Sequence, residues 1–433
     1  MNHTLAIALA GLFLCLFLSG CEKEKDQERP VVEILHPASH QSYSIPDTIH
    51  IEALVSDNKS IEYIQINIVN ELQQPVSHTA IIENINKKEY HLKIDYIVDN
   101  PKTESGTYYL QVTASDGITR KNAQQKITLN EADKMLQKYL VITKSNPNQI
   151  STYELDTNGQ LQFVMSEPTD YLDSQFMSYH QQLIISGSSV YDVKSFEAQQ
   201  YKQIWHVPVL ANPPEPYFTA LNTSEKEILL GFYNGDIARI NASGKRIQTT
   251  HAEPSLFPYQ LIKTSDFIVS AQRNIPNNQR YINSYFLNGG GLHEKLFINY
   301  NVHSFYNLTN NQMLILGNDG NTGSIWTYNL VTKNVWNAKT INQTRVISSC
   351  QISENDYLIS GESNLYWYRK ATNSLTTWKT GYSSNFLLYE PLSQTILSAQ
   401  NSQIHQFRFP SSAVESQTAV SEKIHKIHAV YNR

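Results

Sequence analysis

The chain is poor in charge and in cysteine. Of its 433 residues only 17% are Asp, Glu, Lys or Arg, against roughly 25% in an average soluble domain. The formal net charge is −5, with no run of Lys and Arg to offset it. Binding to nucleic acid needs clustered cations against the phosphates, so that class of partner is excluded. Three cysteines cannot build a disulfide scaffold. The one long apolar run, Leu5 to Leu18, falls short of the roughly 20 residues that span a bilayer as a helix. A mean hydropathy of −0.39 excludes a protein that crosses the membrane many times as helices. What the chain does have is aromatics, 11% of all residues, with 26 Tyr among them.

The apolar run ends in Leu18-Ser19-Gly20-Cys21 and is followed at once by Glu22-Lys23-Glu24-Lys25-Asp26. An apolar core with small residues before a cleavage point is the layout of a signal peptide. Leu-Ser-Gly-Cys resembles the lipobox of bacterial lipoproteins, although Met1-Asn2-His3-Thr4 lacks the usual Lys or Arg. That resemblance implies loss of residues 1–20 and diacylation of Cys21, which would anchor the chain to the outer membrane. Residues 21–30 then read as a tether. Its acidic start resembles the signal that sends some lipoproteins of Gram-negative bacteria to the cell surface. Cys15 leaves with the leader and Cys21 is consumed by lipid, so no intramolecular disulfide is expected. Cys350 lies in an alternating segment, Val346 to Ile352, and reads as a buried small hydrophobe.

Residues 31–130 show period-two alternation broken by turn residues about every ten positions, an all-β pattern. The expected strands are Val31–Leu35, Thr48–Val55, Ile61–Val69, Val76–Ile82, Tyr90–Ile97, Tyr108–Ala114 and Gln125–Leu129. In Tyr108-Tyr109-Leu110-Gln111-Val112-Thr113-Ala114, alternate residues share one face, and Tyr108 is placed to act as a corner tyrosine. The segment resembles the penultimate strand of bacterial immunoglobulin-like and fibronectin-III-like modules, which implies a β-sandwich serving as spacer or docking surface. Asp57 and Asp116 sit at expected strand ends. Without the oxygen spacing of a calcium loop they read as turn-initiating side chains.

After a linker at residues 131–137, an apolar strand ending in a small residue recurs seven times. Thr143, Gly187, Gly231, Ala271, Gly317, Gly361 and Ala399 mark it, at spacings of 38–46 residues. A four-stranded propeller blade takes roughly 40–45 residues. The first repeat has only three strands. Ile427-His428-Ala429-Val430-Tyr431-Asn432 reads against Val302-His303-Ser304-Phe305-Tyr306-Asn307, so the C-terminus is expected to supply the missing strand beside residues 139–143. Residues 138–433 thus resemble a seven-bladed β-propeller of the broad superfamily of quinoprotein-like, YVTN-type and tryptophan–aspartate repeat proteins. Trp336 and Trp378 are expected to dock neighbouring blades.

No metalloprotease, Cys-x-x-Cys, nucleophile-elbow or phosphate-loop motif occurs, and no cofactor or metal is called for. Gly289-Gly290-Gly291 reads as a flexible turn, and His425 with His428 as opposite faces of one strand. Aligning the first strand of each blade on His303 sets Asp173, Tyr217, Tyr259, Ile347, Asn385 and His428 at equivalent places around one mouth of the channel. Stacking faces with hydrogen-bonding edges suit a sugar or a peptide, while polar channel linings that order only water are common. The expectation is a non-enzymatic, membrane-anchored surface or periplasm-facing lipoprotein. Its propeller would bind an envelope protein or a glycan, either alone or as an accessory subunit of an outer-membrane transport or assembly complex. The alternative is a lyase or hydrolase acting at the mouth through His303, His428 and Asp173.

Overall fold

The computed structural model describes residues 28–433 apart from 225, 310 and 342, so the leader and Cys21 lie outside the described residues. The chain divides into two compact units at Asp133/Lys134. Apart from one short 3-10 turn at Lys370–Thr372, every regular element described is a strand.

The first unit holds six strands: β1 (Val31–His36), β2 (Gln41–Ser44), β3 (Asp47–Val69), β4 (Ala80–Val98), β5 (Gly106–Ser115) and β6 (Arg120–Asn130). Two pairs of expected strands are each one long strand here. Asp57, read from the sequence as starting a turn, accepts the amides of Lys59 and Ser60 inside β3. That local bonding makes a bulge rather than a reversal. Asn84 and Asn86, at φ of 58° and 50°, serve the same purpose in β4. Strand β3 is thereby shared: Glu52–Ser56 pair with β1, while Tyr63–Val69 pair with β5. Its alternate apolar residues Ile49, Ile51, Ala53, Val55, Ile64, Ile66 and Ile68 all enter one core. They meet Leu92, Tyr96, Leu110, Val112, Ala114, Ile127 and Leu129 there, which makes the unit a β-sandwich. The Tyr108 hydroxyl donates to the Glu104 carbonyl at 2.8 Å, closing the corner four residues upstream. Strand β2, only four residues long, pairs parallel to β6 and carries too little alternation to be seen in sequence.

The second unit is a ring of seven four-stranded antiparallel sheets. Blade 1 is composite, and blades 2 to 7 cover residues 173–207, 218–250, 256–298, 301–341, 348–380 and 386–419. The second strand of each blade is the most buried, as in Leu183-Ile184-Ile185 and Leu314-Ile315-Leu316, because it packs on both neighbouring blades. Every innermost strand touches the next, and that of blade 1 touches those of blades 7 and 2, so the ring is closed. Blade 1 joins Lys423–Tyr431 to Leu136–Asn146, with Ile427 opposite Val141. The second of those strands takes in residues 136 and 137 of the expected linker. Closure removes the open sheet edges that invite aggregation.

Blade docking uses tryptophan at places the sequence only partly showed. Trp378 donates to the Pro410 carbonyl at 2.8 Å, tying blade 6 to blade 7 as expected. Trp336 does not dock in that way: the residue is 46% exposed on an outermost strand. Trp205, which the repeat pattern missed, does so instead and donates to the Ala242 carbonyl of blade 3. Cys350 is buried against Leu358, Leu365 and Phe407, and burial pushes its thiol up to about 12.

Candidate functional site at the channel mouth

The level of each residue on its inner strand follows from its partner on the second strand. Ser304 faces Leu316, Lys426 faces Ile142, Asp173 faces Ser186 and Ser348 faces Ser360, each just before a repeat marker. These four form one level. His303 and Ile347 lie one residue nearer the mouth, and His425 is the true counterpart of His303. Both histidines occupy a bulge between successive ladder pairs. The expected equivalence therefore fails for most of the set. Asp173 stands one position too deep, and Tyr259 and Asn385 one position too shallow, relative to His303. Tyr217 precedes its blade's first paired residue, Phe218, and lies three positions out. His428 lies three positions in, level with Tyr306. The sequence match of residues 427–432 to 302–307 was a slip of three, and an odd slip moves every side chain to the other face of the strand.

At the seam of blades 1 and 2, Lys426 pairs with Asp173 at 2.8 Å, both side chains about three-quarters buried. Gln175 donates to the other Asp173 oxygen at 3.0 Å. Beneath them His428 Nε2 lies 2.9 Å from the Ser174 hydroxyl, which in turn meets the Tyr171 hydroxyl at 2.9 Å. Burial, reinforced by Lys426, drives the His428 pKa well below the usual imidazole value, so the ring is neutral. Its counterpart Tyr306 does the same work between blades 5 and 6, meeting the Ser349 hydroxyl at 2.7 Å.

His303 spans that same seam. Its Nε2–H donates to the Ile347 carbonyl at 2.6 Å, and Nδ1 faces the Ser304 hydroxyl at 2.8 Å. Burial lowers its pKa as well, against the pull of the carbonyl. Tyr259 accepts the Val302 amide at 3.2 Å, tying blade 4 to blade 5. Tyr217 packs edge-on against Phe218 and Phe232 of its own blade, with centroids 4.7 and 5.6 Å away. Asn385 is exposed and accepts the Asn401 amide at 3.0 Å. The structure thus unites Asp173 and His428 at one seam and places Tyr259 and His303 at two others. The side chains of Tyr217 and Asn385 serve their own blade. Lys426, missed from sequence, was visible as the lone charge between Ile424 and Ile427.

No known protein family matches the chain, and no curated protein matches it. Among solved structures it is similar to a quinoprotein alcohol dehydrogenase-like protein from Bacteroides thetaiotaomicron. The identity is 12%, the match covers 93% of this chain and 99% of that one, and the TM-score is 0.49. It is also similar to Kuenenia stuttgartiensis hydrazine synthase, at 10% identity over 63% of this chain and 95% of that one, TM-score 0.48. The computationally designed protein Ika8 matches at 12% identity over 67% of this chain and 87% of its own, TM-score 0.47.

Proposed function

We propose that the chain is a lipid-anchored envelope protein whose propeller is a non-enzymatic platform for a protein or glycan partner. One observation carries this reading. The acid–base groups that the sequence offers for chemistry are engaged in holding blades together: His428 on Ser174, His303 on the Ile347 carbonyl, Asp173 on Lys426. A general acid or base must reach substrate with its proton, and a residue spent on the neighbouring blade is badly placed for that. Seven sheets locked in a ring make a rigid surface, and rigidity lowers the entropy lost when a partner binds. The lipobox-like Leu18-Ser19-Gly20-Cys21 and the charged tether after it support anchoring through Cys21. The partner is an outer-membrane or envelope protein, or a surface glycan, and the chain acts as its receptor or as an accessory subunit of a transport or assembly complex.

A screen of oligosaccharides and envelope peptides tests the platform, using wild type with H303Q and H428Q. The platform reading expects binding without turnover, weakened no more than a few-fold by either change. Turnover that falls by about 10²–10⁴ in H303Q or H428Q, with binding intact, would replace it with the enzyme reading.

A further inference from the structure

At the mouth end of blade 4, one cross-strand row reads Phe257, Arg273, Arg280 and Ile298. The two arginines stand directly opposite each other, flanking the hairpin at residues 275–279. Like charges at directly opposed positions repel. Among the described residues no carboxylate lies within ion-pair distance of either, and nearby Glu253 is already held by Lys295 at 2.6 Å. The Arg273 guanidinium rests over the Phe257 ring at 5.0 Å, a cation–π contact that steadies it but offers no hydrogen-bond acceptor. The Arg280 Nε is buried and without a partner.

Both arginines extend the face that carries Ala271 and Ile282, which packs into the core between blades 4 and 5. Tyr259, Tyr300 and Trp326 belong to that same core. Tyr300 stacks on Trp326 at 3.6 Å, and its hydroxyl is buried without a partner. Tyr259 uses its oxygen to accept the Val302 amide, which leaves its proton for another acceptor. The seam therefore gathers two guanidiniums, a hydroxyl proton to donate and a second, unpartnered hydroxyl. Buried donors without acceptors are costly, and a native protein rarely keeps several together without a use.

We propose that the seam of blades 4 and 5 binds an oxyanion, the carboxylate, sulfate or phosphate of an acidic ligand, through Arg273 and Arg280 with Tyr259 assisting. Two guanidiniums carried on directly opposed strand positions suit the paired oxygens of such a group. The site names a ligand chemistry for the platform and rests on that reading.

The test uses the whole chain in calorimetry and thermal melts with sulfate, inorganic phosphate and glucuronate oligomers, at constant ionic strength with chloride as reference. At least one oxyanion is expected to raise the melting temperature beyond chloride. R273Q and R280Q should each weaken its binding tenfold or more, and R280K should lose less. Without ligand, R280Q should melt no lower than wild type, because the change relieves repulsion. The three anions separate a carboxylated glycan from a sulfated one and from a phosphate source. No shift beyond chloride, equal binding by the variants, or a marked loss of unliganded stability in both R273Q and R280Q would overturn the proposal. Such a failure, with partner binding by the propeller intact, removes this site alone.

Discussion

His428 shows what a buried polar residue does in this ring. Its neutral imidazole joins two blades in a place where charge is expensive, and His303 and His425 are shifted the same way by burial. The folded state thus resists a proton that the unfolded chain accepts below about pH 6.5. Stability from these residues is full above that value and declines as the pH falls below it towards their lowered folded-state values. Urea unfolding of the propeller at about pH 7.5 and about pH 5.5 should show the loss, and H428Q should show less of it. Equal slopes for mutant and wild type would contradict the assignment. In the sandwich, Tyr108→Phe removes the hydroxyl that bonds the Glu104 carbonyl, and about 0.5–1.5 kcal/mol of stability should go with it. Denaturant unfolding of that unit checks this, and an unchanged midpoint would show that the corner bond contributes nothing.

At the scale of elements, ring closure is the feature on which the second unit depends. Deleting residues 423–433 strips the partner from Leu136–Asn146 and leaves a row of buried backbone donors and acceptors. Each costs about 1–3 kcal/mol, against a total of roughly 5–15 for a whole domain. The truncated protein should be aggregated or largely unfolded by circular dichroism, and a normal melt would refute the closure. This closure was legible in sequence because an apolar run such as Leu314-Ile315-Leu316 ending in Gly317 repeats at blade length. The register inside each blade was not. The bulges at His303 and His425 are register shifts that no local motif announces, so two similar hexapeptides were matched three residues apart. In the sandwich, turn-type residues such as Asp57 and Asn58 signalled a break, but the long strand absorbed them as a bulge. Composition marks where a chain departs from ideal strand, not whether it reverses there. Of the candidate site, Tyr259 and His303 stand out in the sequence as ligand contacts, whereas the structure shows them bonded to the next blade. Those ties were not legible, because they arise only when blades meet.

Taken whole, the molecule is a sandwich and a closed ring on one chain, with an acidic stretch and the lipobox-like segment ahead of both. If Cys21 carries the lipid, Cys21→Ser should abolish metabolic labelling by fatty acid and leave an uncleaved precursor on a gel. Normal processing of that variant would remove the anchor from the account. The platform itself is met most directly by quantitative crosslinking on intact cells, with the crosslinked residues located by mass spectrometry. Residues 134–433 are predicted to link to one envelope protein, or to one glycan species, at close to one partner per chain. Links that are absent from the propeller, or spread over many proteins in proportion to their abundance, would contradict the claim that the ring is built to bind.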